Sequence, residues 1–184
     1  MSTISSPATS APDPADSAEP PWLDEEEART WRRYLLMSRL LGAQLGRGLS
    51  REVGMSHADF EVLVNLSEEP ERRLRMNELA SRLLWEKSRL SHQITRMQQR
   101  GLVQREGCLS DARGSFVGLT DAGLKAIQAA APGHVRDVRR HFFDLLSDAD
   151  LKALAAISDK VVAHLTGPDG EEAPACDASE DDCG

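Results

Sequence analysis

Between Lys87 and Arg105 the chain carries five cations, Lys87, Arg89, Arg96, Arg100 and Arg105, and no carboxylate. Hydrogen-bonding side chains are interleaved with them: Ser88, His92, Gln93 and Thr95. The chemistry available to such a set is recognition of a polyanion. Cations meet phosphates, and the arginine fork, hydroxyls and amide can meet base edges. Leu90, Ile94 and Met97 follow i, i+4, i+7 spacing, which predicts an amphipathic helix over Lys87 to Arg100. At about 100° per residue, Ser88, His92 and Thr95 point directly away from that apolar stripe. Arg89, Gln93, Arg96 and Arg100 then line one flank.

The helix must be placed by what surrounds it. Gly101 is a helix stop, and two strand-like runs follow, Val103–Cys108 and Ser115–Leu119. The turn between them holds Asp111, Arg113 and Gly114. A basic helix followed by a hairpin with an arginine at its tip suits a duplex. The helix enters the major groove and the tip reaches the adjacent minor groove. A merely hydrated helix face would have the same residue types, so the distribution of charge is what separates the two readings. From Arg72 to Arg113 ten Lys/Arg face four acids, a local net of +6 inside a chain of net charge −8. A basic island in an acidic protein is an electrostatic footprint.

Upstream, Asp24 and Glu27 form a capping box for a helix reaching about Ser50, with Trp31, Tyr34, Leu35, Met37, Leu41 and Leu45 apolar. Gly46 and Gly48 make a G-x-G without a third glycine or a preceding strand, which argues against a nucleotide loop. Ser56 and Asp59 cap a second helix, Ala58 to Leu66, and Leu74 sits in a short edge strand. A third helix, Asn77 to Leu84, meets the basic helix through a turn at Trp85 and Glu86. Two short helices joined tightly make a helix-turn-helix, and the hairpin makes it winged. Thr120 starts a helix running toward Leu146 that Pro132–Gly133 should kink or break. Ser147 and Asp150 cap the last helix, striped by Leu151, Leu154, Val161, Val162 and Leu165. The first and last helices carry more apolar surface than the winged unit covers, which predicts a two-fold partner.

The fold class expected is mainly α with a small β-hairpin wing. Residues 1–21 read as a disordered tail, 22–55 as a dimerisation helix, and 56–123 as the winged helix-turn-helix. Residues 124–165 read as further dimerisation helices and 166–184 as a disordered acidic tail. The tails hold charges of −3 and −7, so the body, Trp22 to Leu165, stands at +2. The acidic balance therefore belongs to the tails. The start of the sequence lacks the basic and apolar regions of a signal peptide, and no run approaches the ~18 apolar residues of a membrane span. Three widely spaced cysteines, Cys108, Cys176 and Cys183, suit a reducing cytoplasm.

The chain resembles the MarR family of bacterial transcription regulators over roughly Trp22 to Leu165. The resemblance rests on N-E-L-A-S-R-L (Asn77–Leu83), K-S-R-L-S-H-Q-I-T-R-M (Lys87–Met97), R-G-L-V (Arg100–Val103) and D-A-R-G-S-F-V-G-L-T-D-A-G (Asp111–Gly123). It implies a homodimer built from the first and last helices. It also implies a pseudo-palindromic double-stranded DNA operator, a repressor's action, and release by a small ligand or oxidant. By position it implies base contacts from Ser88, Arg89, Ser91, His92 and Arg96. Arg113 becomes the minor-groove arginine, with Asp111 positioning it. Glu86 departs from the family's serine cap and brings a negative charge close to the DNA.

A thiol switch is disfavoured, because the first helix has no cysteine and Cys108 belongs to a wing strand. The histidines include no i, i+4 pair, so no metal and no cofactor is expected. The family's pocket would put Trp31, Tyr34 and Phe60 near its walls, for a small aromatic or phenolic effector. The competing reading is that these rings are simply core. No catalytic constellation is present beyond chance spacing, so no enzyme is expected. Two other readings stand beside the regulator: a winged-helix interaction module that has lost DNA binding, and an architectural DNA binder without effector control.

Overall fold

The computed structural model describes residues 21–107 and 115–167. Nearly all of both tails, and the hairpin turn with Cys108, Asp111 and Arg113, lie outside the described residues. Helix α1 spans Glu25–Val53 and opens with the expected Asp24–Glu27 capping box, each backbone N–H donating to the other's carboxylate at 2.8–2.9 Å. The chain divides into two compact units, one ending at Leu40 and the other beginning at Leu41. In the first, Trp22, Leu23, Trp31, Tyr34, Leu36, Met37 and Leu40 are all exposed.

The second unit holds the core. Helix α2 (His57–Ser67) is closed by the Ser56–Asp59 capping box. Strand β1 (Arg73–Arg75) leads into α3 (Met76–Leu83), and α4 (Lys87–Gln99) follows after a three-residue turn. Strands β2 (Val103–Gly107) and β3 (Ser115–Leu119) complete an antiparallel sheet of order β1-β3-β2, with Leu74 opposite Val117 and Arg105 opposite Val117 on the other side. Val62, Leu63 and Leu66 of α2, Leu79 of α3, Leu90, Ile94 and Met97 of α4, and Val103 and Val117 of the sheet are buried together. Removal of each large aliphatic side chain from water is worth about 1.5–3 kcal/mol.

Helix α5 runs unbroken from Asp121 to His141 with Pro132 inside it, so of the expected kink or break at Pro132–Gly133 the break does not occur. Pro132 is exposed, so water can take the carbonyl it frees, and the alanines at 129–131 favour helix strongly. The chain breaks instead after His141, in a 3-10 turn at Phe143–Leu145. Helix α6 (Asp148–Thr166) then opens on the Ser147–Asp150 capping box, and none of its residues is buried. Among the described residues no helix is long and apolar enough to cross a membrane.

Candidate nucleic-acid interface

Helix α4 is fixed at both ends and along one face. Its C-terminus is a Schellman cap: Leu102 N–H donates to Met97 O at 3.0 Å and Gly101 N–H to Gln98 O at 2.9 Å, with Gly101 at φ +71°. Its first turn has no side-chain cap, because Glu86 makes no capping hydrogen bond. Along its inner face Leu90, Ile94 and Met97 are fully buried.

A fourth inward residue corrects the expected flank. Gln93 is 3% exposed, and its Nε2 donates to Asp59 Oδ1 at 2.7 Å. The helix turns Gln93 toward α2, where the buried carboxylate of Asp59 needs donors. Arg100 Nη1 donates to Asp59 Oδ2 at 2.8 Å, and Arg96 donates to Gln93 Oε1. Burial pushes the Asp59 carboxyl pKa up, but hydrogen bonds from Arg100 and Ser56 outweigh it and hold the value below the usual 3.8. From sequence Asp59 read only as a cap for α2. Its second task depends on partners 34 and 41 residues away, which no local pattern reveals.

The outward face keeps Lys87, Ser88, Arg89, His92, Thr95, Arg96 and Arg100 exposed, with Ser91 half-buried. Arg105 reaches back from β2. One of its terminal nitrogens donates to Ser91 O, Ser91 Oγ and Thr95 Oγ1 at 3.0–3.2 Å, and Thr95 Oγ1 itself donates to Ser91 O at 2.9 Å. Arg105, expected at a phosphate, thus clasps the wing strand to the helix. Arg89 lies over Trp85, its guanidinium carbon 4.1 Å from the centre of the indole ring. Trp85 was expected only as a turn residue, although its i, i+4 spacing from Arg89 was readable.

The wing is tied to the helix end by Thr120 and Gly123. Thr120 Oγ1 donates to Gly101 O at 2.6 Å and accepts from Gly123 N–H at 3.0 Å. A Cβ on Gly123 would lie 2.0 Å from Leu102 O, so only glycine allows this approach. On the open face of the sheet Arg73 and Arg75 both stand about 5 Å from the Phe116 ring. The basic island is also partly compensated by acids from outside its own stretch. Arg73 pairs with Glu71 at 2.7 Å, Arg82 with Glu69 at 2.5 Å, and Arg100 with Asp59.

The three candidate pocket rings behave differently. Trp31 and Tyr34 stack on each other at 5.6 Å and remain half-exposed. Phe60 is buried, its ring 4.3 Å from that of His134. The His134 pKa is lowered by burial and then by His57, and its buried Nδ1 has no hydrogen-bond partner among the described residues. Among the described residues no three His, Cys, Asp or Glu side chains are grouped to hold a metal ion.

A model of the MarR family matches residues 53–114. No curated protein matches the sequence. Among solved structures, AbsC, a MarR family transcriptional regulator from Streptomyces coelicolor, is 46% identical, with a TM-score of 0.74 over 78% of this chain and 97% of that one. Sco3205, a MarR family transcriptional regulator from the same organism solved in complex with DNA, is 44% identical, with a TM-score of 0.76 over 81% of this chain and 94% of that one. A mutant MarR from E. coli complexed with operator DNA is alike in fold, at 21% identity and a TM-score of 0.67 over 74% and 96% of the two chains.

Proposed function

Because the chain belongs to the MarR family of transcriptional regulators, we propose that it works as a homodimeric repressor on a pseudo-palindromic operator and releases it when a small effector binds. DNA-binding transcriptional regulation is its activity. The observation that carries the finer reading is the outer face of α4. It holds five exposed residues able to meet DNA, Ser88, Arg89, His92, Arg96 and Lys87, while its inner face is locked to the core. Lys87 meets phosphate, and Ser88, Arg89, His92 and Arg96 face base edges. Ser91, Thr95, Gln93 and Arg105 support the face from behind or beside it. Arg100 contacts a phosphate with the hydrogens that its pairing to Asp59 leaves over.

A second copy supports two such helices about one DNA turn, ~34–36 Å, apart. The apolar side chains exposed on α1 up to Leu40, and those on α6, are the surfaces it would cover. Trp31 and Tyr34 offer open ring surface to an aromatic or phenolic effector, whereas Phe60 is already covered within its own unit. The site of action is the cytoplasm, on the nucleoid.

Selection of bound duplexes from a random pool tests the reading. An inverted repeat with half-site centres one helical turn apart is the expected product. Recovery of no duplex at low salt, or of unrepeated sites only, overturns it. Arg113→Ala should reduce the slope of log affinity against log salt by about one. An unchanged slope would remove the wing tip from the duplex.

A further inference from the structure

We propose that Trp85 is a specificity-determining positioning residue that presents Arg89 to a guanine in each operator half-site. The inference rests on the reading above, in which α4 faces base edges. Trp85 is only 8% exposed, and the Arg89 guanidinium lies 4.1 Å from its indole ring. Such a cation–π contact holds the guanidinium over the ring face by electrostatic attraction. The contact uses none of the N–H hydrogens of Arg89, so its N–H edge stays available. That edge is the part that meets guanine O6 and N7 together in the major groove.

An arginine held this way loses little conformational freedom on binding, so more of each hydrogen bond survives as discrimination. The other arginines on and beside α4 are fixed differently. Arg96 donates to Gln93 Oε1, Arg100 to Asp59, and Arg105 to Ser91 and Thr95. Each of these spends donor hydrogens inside the protein. Arg89 is held through the indole ring, which costs it no donor. It is therefore the arginine of α4 best placed for a two-bond contact to one base. Trp85 itself sits in the turn between α3 and α4 and need not touch DNA.

The test uses the full chain and the operator obtained by random-pool selection, with every base pair of one half-site substituted in turn. Arg89→Ala should abolish the preference for one G·C pair. Arg89→Lys, a cation without the fork, should lose most of it. Trp85→Leu should weaken the preference at that same pair about tenfold, while binding to random duplex changes less than about twofold. Trp85→Phe keeps an aromatic face of weaker quadrupole and a folded core, and should lose about threefold. In an Arg89→Ala background, Trp85→Phe should cost nothing further at that pair. Equal losses on operator and random DNA, or the same Trp85→Phe loss with and without Arg89, overturn the inference and leave Trp85 a core residue. Failure to select any operator would overturn the regulator reading itself, which is a different outcome.

Discussion

Helices α4 and α6 carry the same kind of apolar stripe, and their fates differ. In α4 Leu90, Ile94 and Met97 are fully buried among side chains of the same chain. In α6 Leu151, Ile157, Val161, Val162 and Leu165 are all exposed, Ile157 at 61%. Periodicity states which face of a helix needs covering and is silent about what covers it. For α4 the cover is α2, α3 and the sheet. For α6 the described residues leave these side chains open, and the proposed second copy would cover them.

Four measurements sharpen or break that contrast. Ile94→Ala should cost about 2–5 kcal/mol of unfolding free energy, read by denaturant titration, because the site is sealed on all sides. A loss near zero would mean that α4 is not seated in the core. Ile157→Asp should leave the monomer folded but raise the dimer dissociation constant at least about 100-fold, read by sedimentation. An unchanged mass at micromolar concentration would make the α6 stripe an ordinary wet surface.

Asp59→Asn should cost about 2 kcal/mol, below the range for fully buried pairs because Arg100 is itself about half exposed. The pH dependence has a definite sign. The Asp59 pKa is lower folded than unfolded, so its contribution is complete above 3.8 and is lost as pH falls below that value through the folded pKa. The Asn variant should lack this acid-limb loss, and an identical acid limb would remove Asp59 from the ion pair. The smallest effect concerns Leu84, which is 82% exposed and sits at φ +51° in the turn before α4. Leucine in the left-handed region costs about 1–2 kcal/mol, part of which glycine returns as chain entropy. Leu84→Gly should therefore raise stability by about 0.5–1 kcal/mol, read as a small increase in melting temperature. A decrease would show that the leucine side chain makes a stabilising contact.

Much of the local architecture was legible. The three capping boxes at Asp24, Ser56 and Ser147, the stop at Gly101 and the strand Ser115–Leu119 all stand where the residues placed them. Each depends on neighbours within a few positions, where backbone sterics and side-chain reach leave few alternatives. Pro132 does not break α5, because a proline's effect on a helix depends on whether water can reach the carbonyl it frees.

Residue order alone says which side chains form helices and strands, which faces are apolar, and that one helix bears an excess of cations. How those cations are used was settled in the folded chain. It brought Asp59 under Gln93 and Arg100, Glu69 beside Arg82, and Arg105 onto Ser91 and Thr95. It thereby left Arg89, held over Trp85, with its N–H donors unspent. The physical reason is reach. A cap or a periodic stripe is settled within a few residues, whereas an ion pair is settled by whichever charge the fold carries to within about 4 Å, however distant along the chain.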